Sequence, residues 1–236
     1  MQMFLHYGFE ATDKELIFDP EESKHMIKVL RHKAGDQIRI VNTRGLEAWA
    51  TITQANPKAC LVRIERTVQH PEPITQIHVA IAPTKQMERL EWFVEKATEL
   101  GVHRITPVIC HHSERKALRL DRLEKRRDAA LKQSLSYYGV LIDPVCTMDE
   151  FLNQSFDKTD CYIAHCIDEI QDHLFTIPQH FSKAVVLIGP EGDFSPVEAQ
   201  RAIDQGFIPV SLGERRLRTE TAGIAAVQLL GIKAIL

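Results

Sequence analysis

The chain has 236 residues, 44% of them hydrophobic, which is enough for one large or two modest domains with a substantial core and excludes an intrinsically disordered protein. A formal net charge of −3 gives no global attraction to nucleic acid, so such a partner has to be held by a local basic patch. Five scattered cysteines without a CxxC pair (Cys60, Cys110, Cys146, Cys161 and Cys166) argue against a disulfide framework or a zinc site and fit a reducing cytosol. No apolar run approaches the roughly 18 residues of a membrane span, and no basic, apolar leader opens the sequence, so a soluble, unexported protein is expected.

In chain order, residues 1–70 read as a small β-rich domain with one helix. Pro20 to Leu30 begins with acids and places Met26, Ile27, Val29 and Leu30 on a helical face, with a stop near Gly35. The segments 37–41, 48–52 and 59–64 alternate apolar and polar residues between turn signals at Thr43-Arg44-Gly45 and Asn56-Pro57, and a small barrel is the natural solution. Lys24, Lys28 and Arg31, with Lys33 and Arg39 near them, could contact phosphates; the alternative is a solvated helix face.

Pro71-Glu72-Pro73 reads as a linker, and residues 74–236 as a second domain. Its pattern is strand then helix. Ile77–Ala82 is followed by Leu90, Phe93, Val94, Ala97 and Leu100 at helical spacing, then by Ile105–Ile109, a basic helical stretch to about Tyr138, and a strand over Cys161–His165. Such alternation predicts a mostly parallel α/β sheet covered on both faces. In the basic stretch Arg115, Lys116, Arg119 and Arg122 are candidates for phosphate contact, against the competing reading of acid–base pairs along a helix. The neighbouring His111 and His112 lack a third metal ligand, and no metal is expected.

Two glycine-bearing junctions close the chain. The apolar run Val185–Ile188 ends in Gly189-Pro190-Glu191-Gly192, after which Ser195, Pro196 and Glu198 spell an N-cap, a first helical position and a capping box. Some twenty residues on, Ile208–Gly213 forms a second strand and turn, and Arg215–Gly223 opens the last helix. Strand–loop–helix junctions at the carboxyl ends of parallel strands are where open α/β sheets bind ligands. A Rossmann-type site would need GxGxxG after the first strand, and these junctions come late and lack that spacing.

Ile188-Gly189-Pro190-Glu191-Gly192, with Leu212-Gly213 and Leu217-Arg218-Thr219-Glu220-Thr221-Ala222, resembles the RsmE family of ribosomal RNA uridine-N3 methyltransferases in the SPOUT (α/β-knot) superfamily. Glu95–Val102, Ile105-Thr106-Pro107 and Gln133-Ser134 support the likeness, which runs nearly end to end. It implies an N-terminal PUA-like β-barrel that helps hold RNA and a C-terminal domain closed by a trefoil knot. It also implies a homodimer in the cytoplasm acting on 16S ribosomal RNA of the small subunit, with S-adenosylmethionine as methyl donor. The residues it implies for the donor are Leu187, Gly189, Glu191 and Gly192, then Leu212 and Gly213, then Leu217, Arg218, Thr219 and Ala222.

Uracil N3–H is a weak acid, so its methylation needs a base together with a cation for the developing anion. Arg218 is the expected cation, and Glu191 or Glu220 the expected base or orienting group. Alternatives remain at each position: an ion pair between Arg218 and one of those glutamates, a dipole-favoured acid at Glu220, and helix capping by Thr219 and Thr221. Ala222, Gly223, Ala225 and Ala226 form a small-residue face for another helix, from the partner subunit or from within the chain. The sequence departs from the family pattern at Asp193, where a glycine is common, at Arg216, where an aliphatic residue is usual, and around Lys132-Gln133. A non-catalytic RNA-binding or ribosome-assembly protein of the same fold is the second reading, disfavoured by the intact Arg218-Thr219-Glu220-Thr221.

Overall fold

The computed structural model describes residues 2–165, 172–177 and 181–234; Cys166 lies outside them. Backbone contacts divide the chain into two units, Met1–Glu72 with Leu131–Gly139, and Pro73–Ala130 with Val140–Leu236.

The first unit is built on β1 (Met3–Leu5), β2 (Glu15–Ile17), β3 (Gln37–Val41), β4 (Leu46–Gln54) and β5 (Leu61–Gln69), in the order β1-β3-β4-β5-β2. Its two edges approach through His6 Nε2 and the Ile17 carbonyl, 3.3 Å apart. Alternation along the strands sends Ile38 and Ile40, Ala48, Ala50 and Ile52, and Val62 into one core with Phe4, Phe9, Phe18 and Met26. Asp19 caps α1 (Pro20–Lys24) by accepting from the backbone of Glu21 and Glu22.

The single helical face expected over 20–30 is not what forms. After Lys24 the backbone widens into a π-helical turn, His25–Val29, and Arg31 takes a left-handed φ of 61°. The widened turn rotates the face, so Met26 is buried while Val29 is 64% exposed. Residues 131–139 pack within this unit: Gly45 N–H donates to Tyr137 O (3.0 Å), Gly139 N–H to Thr43 O (2.9 Å), and the Tyr137 ring stacks on His70. A Cβ on Gly45, whose φ is +85°, would stand 2.2 Å from the Tyr138 hydroxyl, so only glycine permits this contact.

The second unit runs β6 (Gln76–Ile81), α2 (Met87–Glu99), β7 (Arg104–Ile109), α3 (Leu120–Ser134, whose last residues fall in the first unit), β8 (Leu141–Ile142), β9 (Cys146–Thr147), α4 (Met148–Leu152), β10 (Asp160–Ala164), β11 (Lys183–Ile188), α5 (Pro196–Asp204), β12 (Ile208–Val210) and α6 (Thr219–Lys233). Among the described residues every strand pair of this unit is parallel, in the order β12-β10-β11-β6-β7-β8, with β9 also on β7. This is the mostly parallel α/β architecture the alternating pattern predicts. The central strands are apolar on both faces, as Val185, Val186, Leu187 and Tyr162 at full burial show. The basic helical stretch expected to run to about Tyr138 forms as α3 and ends at Ser134.

A part-buried polar network lies on this sheet. Asp143 accepts two hydrogen bonds from Arg104 (2.7 and 3.0 Å) and one from the Thr106 hydroxyl, whose oxygen is 2.7 Å from His78 Nε2. Burial, with the Arg104 charge beside it, pushes the His78 imidazole down to about 4. No described helix is long and apolar enough to cross a membrane.

Candidate methyl-donor cavity

Adjacent parallel strands β12, β10 and β11 end side by side, and their carboxyl ends open into a cavity of about 960 Å³. That is the size range of small-molecule sites, and the position is the one open parallel sheets use for ligands. Its walls are Ala164 and His165 after β10, Ile188 to Glu191 with Asp193 after β11, Val210 to Gly213 after β12, and Glu214 to Thr219 with Ala222 at the start of α6.

Local sequence explains each wall. A side chain at Gly189 would be crowded: a Cβ there would lie 3.1 Å from the Phe194 ring and 3.2 Å from the Asp193 carboxylate. Beyond it the chain turns through Asp193 N–H to Pro190 O (2.9 Å), and Asp193 adopts φ +61°, with its own carboxylate accepting from Phe194 N–H (2.8 Å). That left-handed φ is the reason glycine suits this position, and Asp is among the few other residues that tolerate it. The capping box predicted at Ser195 and Glu198 is present, and the second Glu198 oxygen accepts from His111 N–H (2.7 Å), tying the loop after β7 to the start of α5.

Three bonds hold the cavity loops together. The buried Thr219 hydroxyl donates to Gly189 O (3.0 Å), pinning the first turn of α6 to the loop after β11. Glu191 is held from both sides, since its carboxylate accepts from Lys85 N–H (3.1 Å) and its carbonyl from Arg216 (3.3 Å). Arg218 is the N-cap residue of α6, exposed and without a side-chain capping bond, and it makes no ion pair among the described residues.

Of the residues singled out in the sequence, Gly189, Glu191, Leu212, Gly213, Leu217, Arg218, Thr219 and Ala222 line the cavity together. Three do not. Leu187 is fully buried in the core under α5 because side chains alternate along β11, and Ile188 reaches the cavity in its place. Gly192 lies outside against His112, whose Cβ a side chain there would meet at 3.0 Å. Glu220 is 7% exposed and turned toward α2, where Arg89 Nε is 3.8 Å from its carboxylate. The capping roles expected of Thr219 and Thr221 do not form, since Arg218 is the N-cap; Thr219 spends its hydroxyl on Gly189 and Thr221 faces solvent.

Sequence reasoning missed His165, Pro190, Glu214 and Arg215 as walls. His165 had a legible signal, being the residue that follows a buried parallel strand. Burial lowers its pKa, opposed by the Asp193 charge, so the imidazole favours its neutral form.

The candidate phosphate-binding cations divide into two groups. Arg115 donates to the carbonyls of Thr84 and Lys85, Arg119 is bidentate to Asp121, and Arg122 joins Arg126 on Glu91, a carboxylate only 3% exposed. Arg119 and Arg122 are thus paired with carboxylates, though not three or four residues apart along one helix as the competing reading has it, and Arg115 is bonded to backbone carbonyls. Lys24, Lys28, Arg31 and Lys116 are exposed and make no ion pair among the described residues. The described cysteines are free thiols, and burial pushes those of Cys146 and Cys161 up to about 11.

Comparison with known proteins gives two family matches, an RNA methyltransferase domain over residues 70–231 and an RNA methyltransferase PUA domain over residues 18–65. A relative named ribosomal RNA small subunit methyltransferase E, from Bacillus subtilis, is 28% identical and aligns with 95% of this chain and 94% of its own. A Porphyromonas gingivalis crystal structure described as a probable rRNA-methyltransferase superposes with a TM-score of 0.90 at 35% identity, covering 100% of this chain and 99% of that one. A ribosomal RNA small subunit methyltransferase E from Neisseria gonorrhoeae, solved bound to S-adenosyl methionine, gives 0.85 at 26% identity, covering 96% and 95%.

Proposed function

Because the chain belongs to the RNA methyltransferase family, joined to that family's PUA domain, we propose that it methylates N3 of a uridine in 16S ribosomal RNA using S-adenosylmethionine. The observation that carries this reading is the cavity at the ends of β12, β10 and β11. It has the volume for such a donor, a glycine floor that leaves main-chain groups approachable, and the apolar side chains of Ile188, Val210, Leu212 and Leu217 for an adenine ring. When bound, the donor supplies an electrophilic methyl group on a sulfonium.

The chain's own residues supply the rest. Arg218, on the cavity wall without a carboxylate partner among the described residues, stabilises negative charge on the uracil carbonyl as N3 loses its proton. Glu191 is the base of choice, since it lines the cavity and Lys85 N–H fixes one of its oxygens. Glu220, facing Arg89, instead anchors α6 to α2. Residues 74–236 form the catalytic domain in this reading, with Lys116 as a phosphate contact, and residues 1–70 a barrel that holds RNA through Lys24, Lys28 and Arg31.

The same reading includes a homodimer. Ile224 and Leu229 of α6 are half-buried, while Ile232 of α6 and Trp92 of α2 are 38% and 44% exposed, apolar side chains that a second copy could cover. The test is to delete the gene and map N3-methyluridine in ribosomal RNA by mass spectrometry, with complementation by wild type and by Arg218→Ala. The mark is expected to vanish, to return with wild type and to stay absent with the variant. A mark that persists after deletion refutes the assignment.

A further inference from the structure

We propose that the outer face of the first unit's sheet is a stacking platform for an unpaired base of single-stranded RNA, built on Trp49 and Arg66. The proposal rests on the reading of this chain as an RNA methyltransferase but concerns a surface outside the methyl-donor cavity.

Leu46, Ala48, Ala50 and Ile52 of β4 face the core, so the two-residue period puts Trp49 on the opposite face. Strand register lines Arg39, Trp49 and Arg66 up across β3, β4 and β5, with a shift after Trp49 that brings Arg66 opposite it. The two arginines differ in what they do. Arg39 is committed to the buried Glu47 carboxylate and to the Tyr137 hydroxyl (3.2 Å), and its guanidinium carbon is 5.9 Å from the indole centroid. Arg66 lies over the indole at 3.6 Å, is exposed, and makes no ion pair among the described residues, whereas the nearby Arg63 is matched by Glu65.

The result is a half-buried indole carrying a planar cation that makes no ion pair among the described residues. Unpaired RNA has the complementary chemistry. A base stacks on an arginine plane or an aromatic ring, and the guanidinium edge is left for the adjoining phosphate. A duplex keeps its bases stacked inside and cannot offer a free face.

The test uses the full chain, a short single-stranded RNA oligonucleotide and a duplex of equal length. The protein has two tryptophans, Trp49 and Trp92, so fluorescence quenching present in wild type and absent in Trp49→Phe reports on Trp49. The single strand is expected to quench Trp49 and the duplex not to. Arg66→Glu should weaken single-strand affinity about tenfold, in keeping with the loss of one stacking contact, and leave affinity for S-adenosylmethionine unchanged. Arg66 is exposed, so that variant folds even where a smaller residue at Trp49 would not.

Equal quenching by both RNAs, or unchanged affinity in Arg66→Glu, overturns the platform, because a cation–π pair that only braces the strands would leave RNA binding untouched. If methyl transfer to ribosomal RNA persists while Trp49 is never quenched, the platform alone fails. Loss of methyl transfer in the wild type would instead strike at the proposed activity.

Discussion

Replacing Thr219 with valine tests whether the cavity is held together where the structure says it is. Valine is nearly isosteric, so no void opens, but the Gly189 carbonyl loses the buried hydroxyl that donates to it at 3.0 Å. Leaving a buried acceptor unpaired costs about 1–3 kcal/mol, or roughly 5- to 150-fold in the folding equilibrium. The bond joins two walls of one cavity, so part of that cost should appear as weaker donor binding. Urea denaturation should show a lower midpoint at unchanged slope, and calorimetry a loss of S-adenosylmethionine affinity of up to about tenfold. Thr219→Ser, which restores the hydroxyl, should recover most of both. A valine variant that matches wild type in midpoint and in donor affinity would show that the contact fixes neither wall.

Two further expectations concern the scaffold. The His78 pKa is depressed from 6.5 to about 4 in the fold, so the unfolded chain binds the extra proton and stability falls as pH drops from about 6.5 toward 4. Between pH 6.5 and 4.5 this amounts to about 2–3 kcal/mol. Denaturation at the two pH values should find that part of the loss missing in His78→Gln, and an unchanged pH dependence would contradict a neutral buried imidazole. Gly223→Ala would place a Cβ 2.5 Å from the Phe93 ring, where α6 meets α2. Overpacking of about 1–3 kcal/mol outweighs the gain of about 1 kcal/mol in helix propensity, so the melting temperature should fall; a rise would mean that Phe93 yields freely.

Much of this architecture was readable from residue order. The alternation in β3 to β5, the continuous apolar runs of β10 and β11, and the Ser195–Glu198 capping box each follow from short-range rules, and each forms. What the sequence hides is direction. Leu187 and Ile188 are adjacent and equally apolar, yet one fills the core and the other lines the cavity, a choice set by which sheet face α5 covers. Glu220 and Arg218 sit two residues apart, which on a helix points them to different sides, and only the packing of α6 on α2 decides which side is the cavity. The partners of the basic stretch are distant in sequence, as with Arg122 and Arg126 on Glu91, so a count of charges could not separate paired arginines from available lysines. The π-helical turn at His25–Val29 had no signal in apolar spacing, which fits an ordinary helix there.

The most direct test of the account is calorimetric titration of S-adenosylmethionine into the purified chain and into Ala222→Phe, in which a ring grows from the first turn of α6 into the cavity. Wild type should bind one donor per chain, and the variant, folded by circular dichroism, should bind it at least about tenfold more weakly, since loss of a pocket costs more than one contact. Absence of binding to wild type at millimolar donor, or equal binding by both proteins, would contradict the assignment of this cavity.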